Sequence, residues 1–139
     1  MKVVLDANVI VAAFAARGLC EALFQYCIGS CELACSEHLL REVERALTSK
    51  IKMTTQAAGE IVAFLRQNAE IAAPSPVPHG ACRDKSDAHV LGLAMTVRAD
   101  YLVTGDKDLL EVVLDGTGAI VTPRSFWEGI QSRESKRTP

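Results

Sequence analysis

The most constraining feature of this chain is a short apolar run, Val3-Val4-Leu5, that ends abruptly on a carboxylate, Asp6. A run without polar alternation suits a strand covered on both faces, the situation of a strand inside a parallel sheet. Parallel strands need long crossover connections, so helices must follow. The stretch through Phe14 reads as helix, Arg17-Gly18 breaks it, and residues 20–26 resume with Leu19, Leu23 and Tyr26 at helical spacing before Gly29-Ser30 turns the chain. Residues 32–35 read as a second strand. Ser36 then caps a helix over 38–49, whose Leu39, Leu40, Val43, Ala46 and Leu47 form one apolar stripe.

A further helix is expected over 55–68 and a brief strand over 71–73, followed by an extended loop imposed by Pro74, Pro76 and Pro78. Asp84 or Ser86 can cap a helix over 88–98. A strand over 101–104, a short helix over 107–113 and a last strand over 119–122 complete the pattern. Strand and helix alternate throughout, which predicts an α/β fold with a central parallel sheet covered on both sides. With 139 residues and 49% apolar content the expectation is one domain over 1–131, with 132–139 as a disordered tail.

No window approaches the ~18 apolar residues of a membrane span, so no membrane partner is expected. The five cysteines, Cys20, Cys27, Cys31, Cys35 and Cys82, contain no CxxC pair, which favours a reducing cytoplasm. Cys27, Cys31 and Cys35 recur every four residues, but the last two look like strand residues and so would be spread along its length; small buried side chains are the expected role. His38, His79 and His89 show no metal spacing and receive no chemistry. Lys107 reads as a solvated surface residue, and Phe126, Trp127 and Ile130 as packing.

The acids carry the functional signal. In an open parallel sheet, ligands gather beyond the carboxyl ends of the strands, where strand order reverses. Asp6 follows the first strand, Asp106 and Asp108 follow the strand over 101–104, and Asp84 and Asp87 open the helix before it. Any one of them alone reads as a turn former or helix cap, and helix-dipole compensation accounts for Asp84, Asp87 and Asp106. Neither explains why an acid should also end the apolar first strand. Carboxylates brought close together repel and raise each other's pKa, a cost that a hard divalent cation removes. Such a site can activate water against a phosphodiester. Glu42 and Glu44 flank the apolar stripe of the 38–49 helix about equally, and periodicity leaves both open.

Four segments together resemble a PIN domain, in the branch of toxin components of bacterial toxin-antitoxin pairs. They are Val4-Leu5-Asp6-Ala7-Asn8-Val9, Glu42-Val43-Glu44-Arg45-Ala46-Leu47, Cys82-Arg83-Asp84 with Asp87 and Leu91-Gly92-Leu93-Ala94 beyond, and Ala99 through Leu109. The resemblance spans nearly the whole chain. It implies a Rossmann-like, three-layer α/β/α sandwich and a metal-dependent ribonuclease centre. Position by position it gives Asp6, Glu42, Asp87 and Asp106 as the acidic quartet, selecting Glu42 over Glu44, with Asp84 and Asp108 as nearby acids joining the metal. Asn8 and Thr104 are candidate supporting residues. The chain departs from the family pattern in Lys85-Ser86 and Ala88 around Asp87, which leaves Asp84 and Asp87 as alternatives for the closer ligand.

The implied function is a Mg2+- or Mn2+-dependent endoribonuclease acting on single-stranded RNA, the toxin partnered by a cognate antitoxin protein. A homodimer is also implied, with the Thr54 to Asn68 region as a candidate surface. The alternative is a non-catalytic PIN-like module that binds protein or RNA; a missing acid would favour it, and none is missing. The formal charge of −2 argues against nucleic acid only while position is ignored. Assigning the four acids to metal leaves the rest of the chain at +2, so RNA affinity is expected to be weak and dependent on the cation.

Overall fold

The computed structural model describes residues 1–77, 85–112 and 118–137. Strand β1 (Lys2–Leu5) passes through Asp6 into α1 (Ala7–Ala15), and α2 (Leu19–Ser30) returns the chain to β2 (Glu32–Cys35). Helices α3 (Glu37–Ser49) and α4 (Thr55–Asn68) lead to β3 (Ala69–Ile71). The second half contributes α5 (Lys85–Val97), β4 (Tyr101–Val103), α6 (Lys107–Leu110), β5 (Ala119–Val121) and α7 (Pro123–Arg137).

Every strand pairing is parallel, and the order across the sheet is β3-β2-β1-β4-β5. The chain builds outward from β1 to β3, then crosses back to lay β4 on the other side of β1. Because parallel crossovers are right-handed, the two halves of the sheet send their connecting helices to opposite faces, which makes the three-layer α/β/α sandwich. Val3, Val4 and Leu5 are accordingly 0%, 0% and 1% exposed. The parallel pairing of β1 with β4, where strand order reverses, sets their carboxyl ends side by side, with Leu5 in register with Val103. The backbone N–H of Asp6 continues that pairing by donating to the Val103 carbonyl at 2.9 Å.

Helix α3 forms as its sequence dictates. Ser36 stands at its N-cap, its hydroxyl accepting from the Leu39 N–H at 3.1 Å, and Leu39, Leu40, Val43 and Leu47 are all buried. Helix α5 ends at Arg98, whose φ of 55° is left-handed and lets the Ala99 N–H reach back to the Ala94 carbonyl at 2.9 Å. No single helix among the described residues is long and apolar enough to cross a membrane.

Several boundaries differ from those read in the sequence. The third strand is Ala69–Ile71 rather than 71–73, because it is an edge strand held by backbone pairing to β2 and largely exposed, so it carries no apolar alternation. Helix α2 runs through Gly29 to Ser30, and Cys31 is its C-cap rather than a strand residue. Helix α5 starts at Lys85, placing Asp87 in its first turn, and α6 stops at Leu110. The segment from Ser132, expected to be a disordered tail, continues α7 as helix to Arg137. Arg133 fixes it there, donating to the Tyr101 hydroxyl at 2.8 Å from above the tyrosine ring. Among the described residues, Cys20, Cys27, Cys31 and Cys35 are free thiols packed in or against the core, and burial pushes the Cys35 thiol up to about 12; Cys82 lies outside the described residues.

Candidate functional site

The first two site residues are fixed by the sheet itself. Asp6 caps α1 with β-region backbone geometry, its Oδ1 accepting from the Ala7 N–H at 2.8 Å. Thr104, directly after β4 and 0% exposed, donates its hydroxyl to Oδ2 of Asp6 at 2.7 Å. The same hydroxyl oxygen accepts from the Asp106 N–H at 3.0 Å. Asp106 in turn caps α6, with Oδ1 accepting from the Asp108 N–H at 2.8 Å. Three consecutive hydrogen bonds therefore run from the end of β1 to the start of α6. They orient the carboxylates that the strand ends supply.

Asp87 enters from α5, and one carboxylate oxygen from each of Asp87, Asp106 and Asp108 lies within 4.8 Å of the others. Asp87 is buried and Asp108 exposed, so the cluster runs from the interior to solvent. Glu42, half-buried on α3, faces the same region. Burial is the main reason the Asp6 carboxyl is pushed above its ordinary value of 3.8; the hydrogen bonds from Thr104 and Ala7 oppose the shift, and the nearby charges of Glu42 and Asp106 add to it.

Asn8 is exposed at the start of α1 and lines a cleft of about 180 Å³ with Glu42, Arg45 and Lys50 among others. Asp84 lies outside the described residues. The structure thus gathers Asp87, Asp106 and Asp108 most tightly and ties Asp6 to Asp106 through Thr104. Glu42 reaches Asp6 through its charge. The donor set is entirely carboxylate oxygen, the set that suits a hard divalent cation such as Mg2+ or Mn2+, and the repulsion it creates is what such a cation would relieve.

One feature escapes a reading by spacing alone. His38 lies within hydrogen-bond distance of Glu42, Nε2 to Oε1 being 2.6 Å, and its ring stacks on that of His89 with centroids 3.9 Å apart and planes at 14°. The spacing of His38 and Glu42, one helical turn apart, signals the first contact; the second joins two helices and has no local signature.

A family model described as PIN domain matches residues 2–108. Among solved structures, PAE2754 from Pyrobaculum aerophilum is similar at a TM-score of 0.65 and 17% identity, over 95% of this chain and 96% of that one. VapBC2 from Rickettsia felis, solved bound to a DNA fragment from their promoter, is similar at a TM-score of 0.61 and 14% identity, over 88% of this chain and 98% of that one. Identities this low bear on the fold alone. No curated protein matches the sequence.

Proposed function

Since the chain belongs to the PIN-domain family, we propose that it is a divalent-metal-dependent endoribonuclease that hydrolyses single-stranded RNA, with Asp6, Glu42, Asp87 and Asp106 as its catalytic carboxylates. Asp108 and Asp84 complete the acids toward the metal, and Asn8 and Thr104 support them. The observation that carries this reading is the convergence of acids from β1, α5 and the segment after β4 at the point where strand order reverses.

Bound there, Mg2+ or Mn2+ would supply a water nucleophile at neutral pH and neutralise charge on the phosphodiester. The chain's own residues do the positioning. Thr104 holds one oxygen of Asp6 while the Ala7 N–H holds the other, so the carboxylate has little rotational freedom. The Asp108 N–H fixes one oxygen of Asp106. The buried side of the cluster, at Asp6 and Asp87, keeps bulk water away from the interior, while exposed Asp108 leaves a path for substrate. Arg45 and Lys50, beside Glu42 in the cleft near Asn8, offer cations for the flanking phosphates of a strand.

In the cell the chain is proposed to act in the cytoplasm as the toxin of a toxin-antitoxin pair, held by a cognate antitoxin protein, and to form a homodimer. The similarity to a solved VapBC2 assembly supports the antitoxin partner, and exposed Phe64 on α4 supports that helix as a dimer surface. The proposed functional unit is the single domain, with α7 included to Arg137. The test is cleavage of a single-stranded oligoribonucleotide by the purified chain with manganese, expected to be abolished by EDTA and by Asp106→Asn. Manganese binding without cleavage would favour a binding module instead.

A further inference from the structure

We infer that His38 and His89 form a strut that sets the position of Glu42, one of the proposed catalytic carboxylates, which makes His38 a positioning residue for the metal centre; the inference rests on the metal-site reading given above. A carboxylate can only accept, so at 2.6 Å it is His38 Nε2 that carries the hydrogen and donates to Oε1 of Glu42. A face of the imidazole is covered by the stacked ring of His89, the centroids 3.9 Å apart. His89 lies two residues beyond Asp87 on α5. A continuous path of contacts therefore runs from the Asp87 backbone through both rings to the Glu42 carboxylate, across the interface between α5 and α3.

The geometry distinguishes this from an ordinary surface pair. A glutamate has three rotatable bonds, and an exposed pair one helical turn apart does little to restrain them. Here the donor ring is also stacked on a ring from another element, which restricts its rotamers and through the hydrogen bond restrains the carboxylate. Hydrogen-bond partners that orient a metal-holding group in this way act on metal affinity as strongly as on rate. His89 also lines a cleft of about 350 Å³ with Pro74–Val77 and Ala88. A ring that served chiefly to stack on substrate would govern KM, whereas a positioning role governs metal binding and kcat.

The test compares His38→Phe, which keeps a ring for the stack and removes the donor, with His38→Gln, which keeps a donor, in the full chain. Manganese affinity is measured by calorimetry and kcat and KM on a single-stranded oligoribonucleotide. His38→Phe is expected to weaken manganese binding and lower kcat by about 10-fold to 100-fold each, with KM and the metal-free melting temperature unchanged. His38→Gln is expected to recover most of both, and His89→Ala to weaken manganese in the same direction. Wild-type manganese affinity and kcat in His38→Phe, or an effect confined to KM, would overturn the positioning role alone. No manganese binding by the unaltered chain would overturn the metal-site reading and the positioning role with it.

Discussion

The Thr104 hydroxyl donates to Oδ2 of Asp6 at 2.7 Å, joining residues 98 positions apart in sequence across the seam where β1 meets β4. Because the same oxygen accepts from the Asp106 N–H, it serves two of the site's acids at once.

Thr104→Val keeps the shape of this fully buried side chain and removes both bonds. The loss of a hydrogen bond to a charged acceptor, with a backbone donor left unpaired, predicts a destabilisation of about 2–4 kcal/mol. Thr104→Ser should retain most of the stability. Urea denaturation of the three proteins without metal measures the difference, and equal midpoints for valine and threonine would refute it.

The raised Asp6 carboxyl gives stability a defined pH dependence. The folded chain binds this proton more tightly than the unfolded one, so the group favours folding at low pH, and that contribution is lost as pH climbs from about the ordinary value of 3.8 through the higher folded value. The stability of Asp6→Asn relative to the unaltered, metal-free protein should therefore rise as pH is raised from 4 to 7. Manganese at pH 7 should shift the comparison back toward aspartate. A stability difference that stays flat with pH would show that burial imposes no cost on this charge.

The three acids that converge within 4.8 Å differ in burial, and burial should rank them. Asp87, 8% exposed, holds its oxygen in the less hydrated part of the cluster, where a cation's field is least screened, whereas Asp108 is open to solvent. Asp87→Asn is thus expected to weaken manganese binding by about 100-fold or more and Asp108→Asn by about 10-fold or less. Calorimetric titration of each variant decides the order.

Gly92 shows how context reverses a general preference. Glycine to alanine inside a helix ordinarily adds about 1 kcal/mol. On α5, a methyl at this position would stand 2.6 Å from the Ser75 carbonyl oxygen, in backbone that passes directly over the helix. Gly92→Ala should destabilise by about 1–3 kcal/mol. A raised melting temperature would show that the 74–77 segment yields without cost.

Much of this architecture was legible in the sequence because its signals are local. The unalternating Val3-Val4-Leu5 run fixed a doubly covered strand, and the Ser36 cap with its apolar stripe fixed α3. What escaped depended on distant partners. β3 has no buried face to pattern its residues, and α7 past Ser132 is polar throughout, held by Arg133 reaching Tyr101. At the site, acids at strand ends were visible one by one, but the distance among Asp87, Asp106 and Asp108 exists only once α5 has packed back on β4. Glu42 and Glu44 are equivalent by helical period, and only resemblance chose between them; in the folded chain it is Glu42 whose charge bears on Asp6. The stacking of His38 on His89 had no sequence signal at all.

The pairing of β1 with β4 across almost the full domain also sets when the site can come into being during synthesis. Asp6 leaves the ribosome well ahead of its hydroxyl donor and the acids at 106 and 108, which follow only after three strands and five helices among the described residues have been made. Local helices form quickly, while a contact of this sequence separation waits on loop closure. A nascent or truncated chain ending before β4 holds the N-terminal carboxylate without its companions, and so has no assembled centre. For the ribonuclease proposed above, which would be made in the midst of its own substrate, the order of the strands is itself a delay.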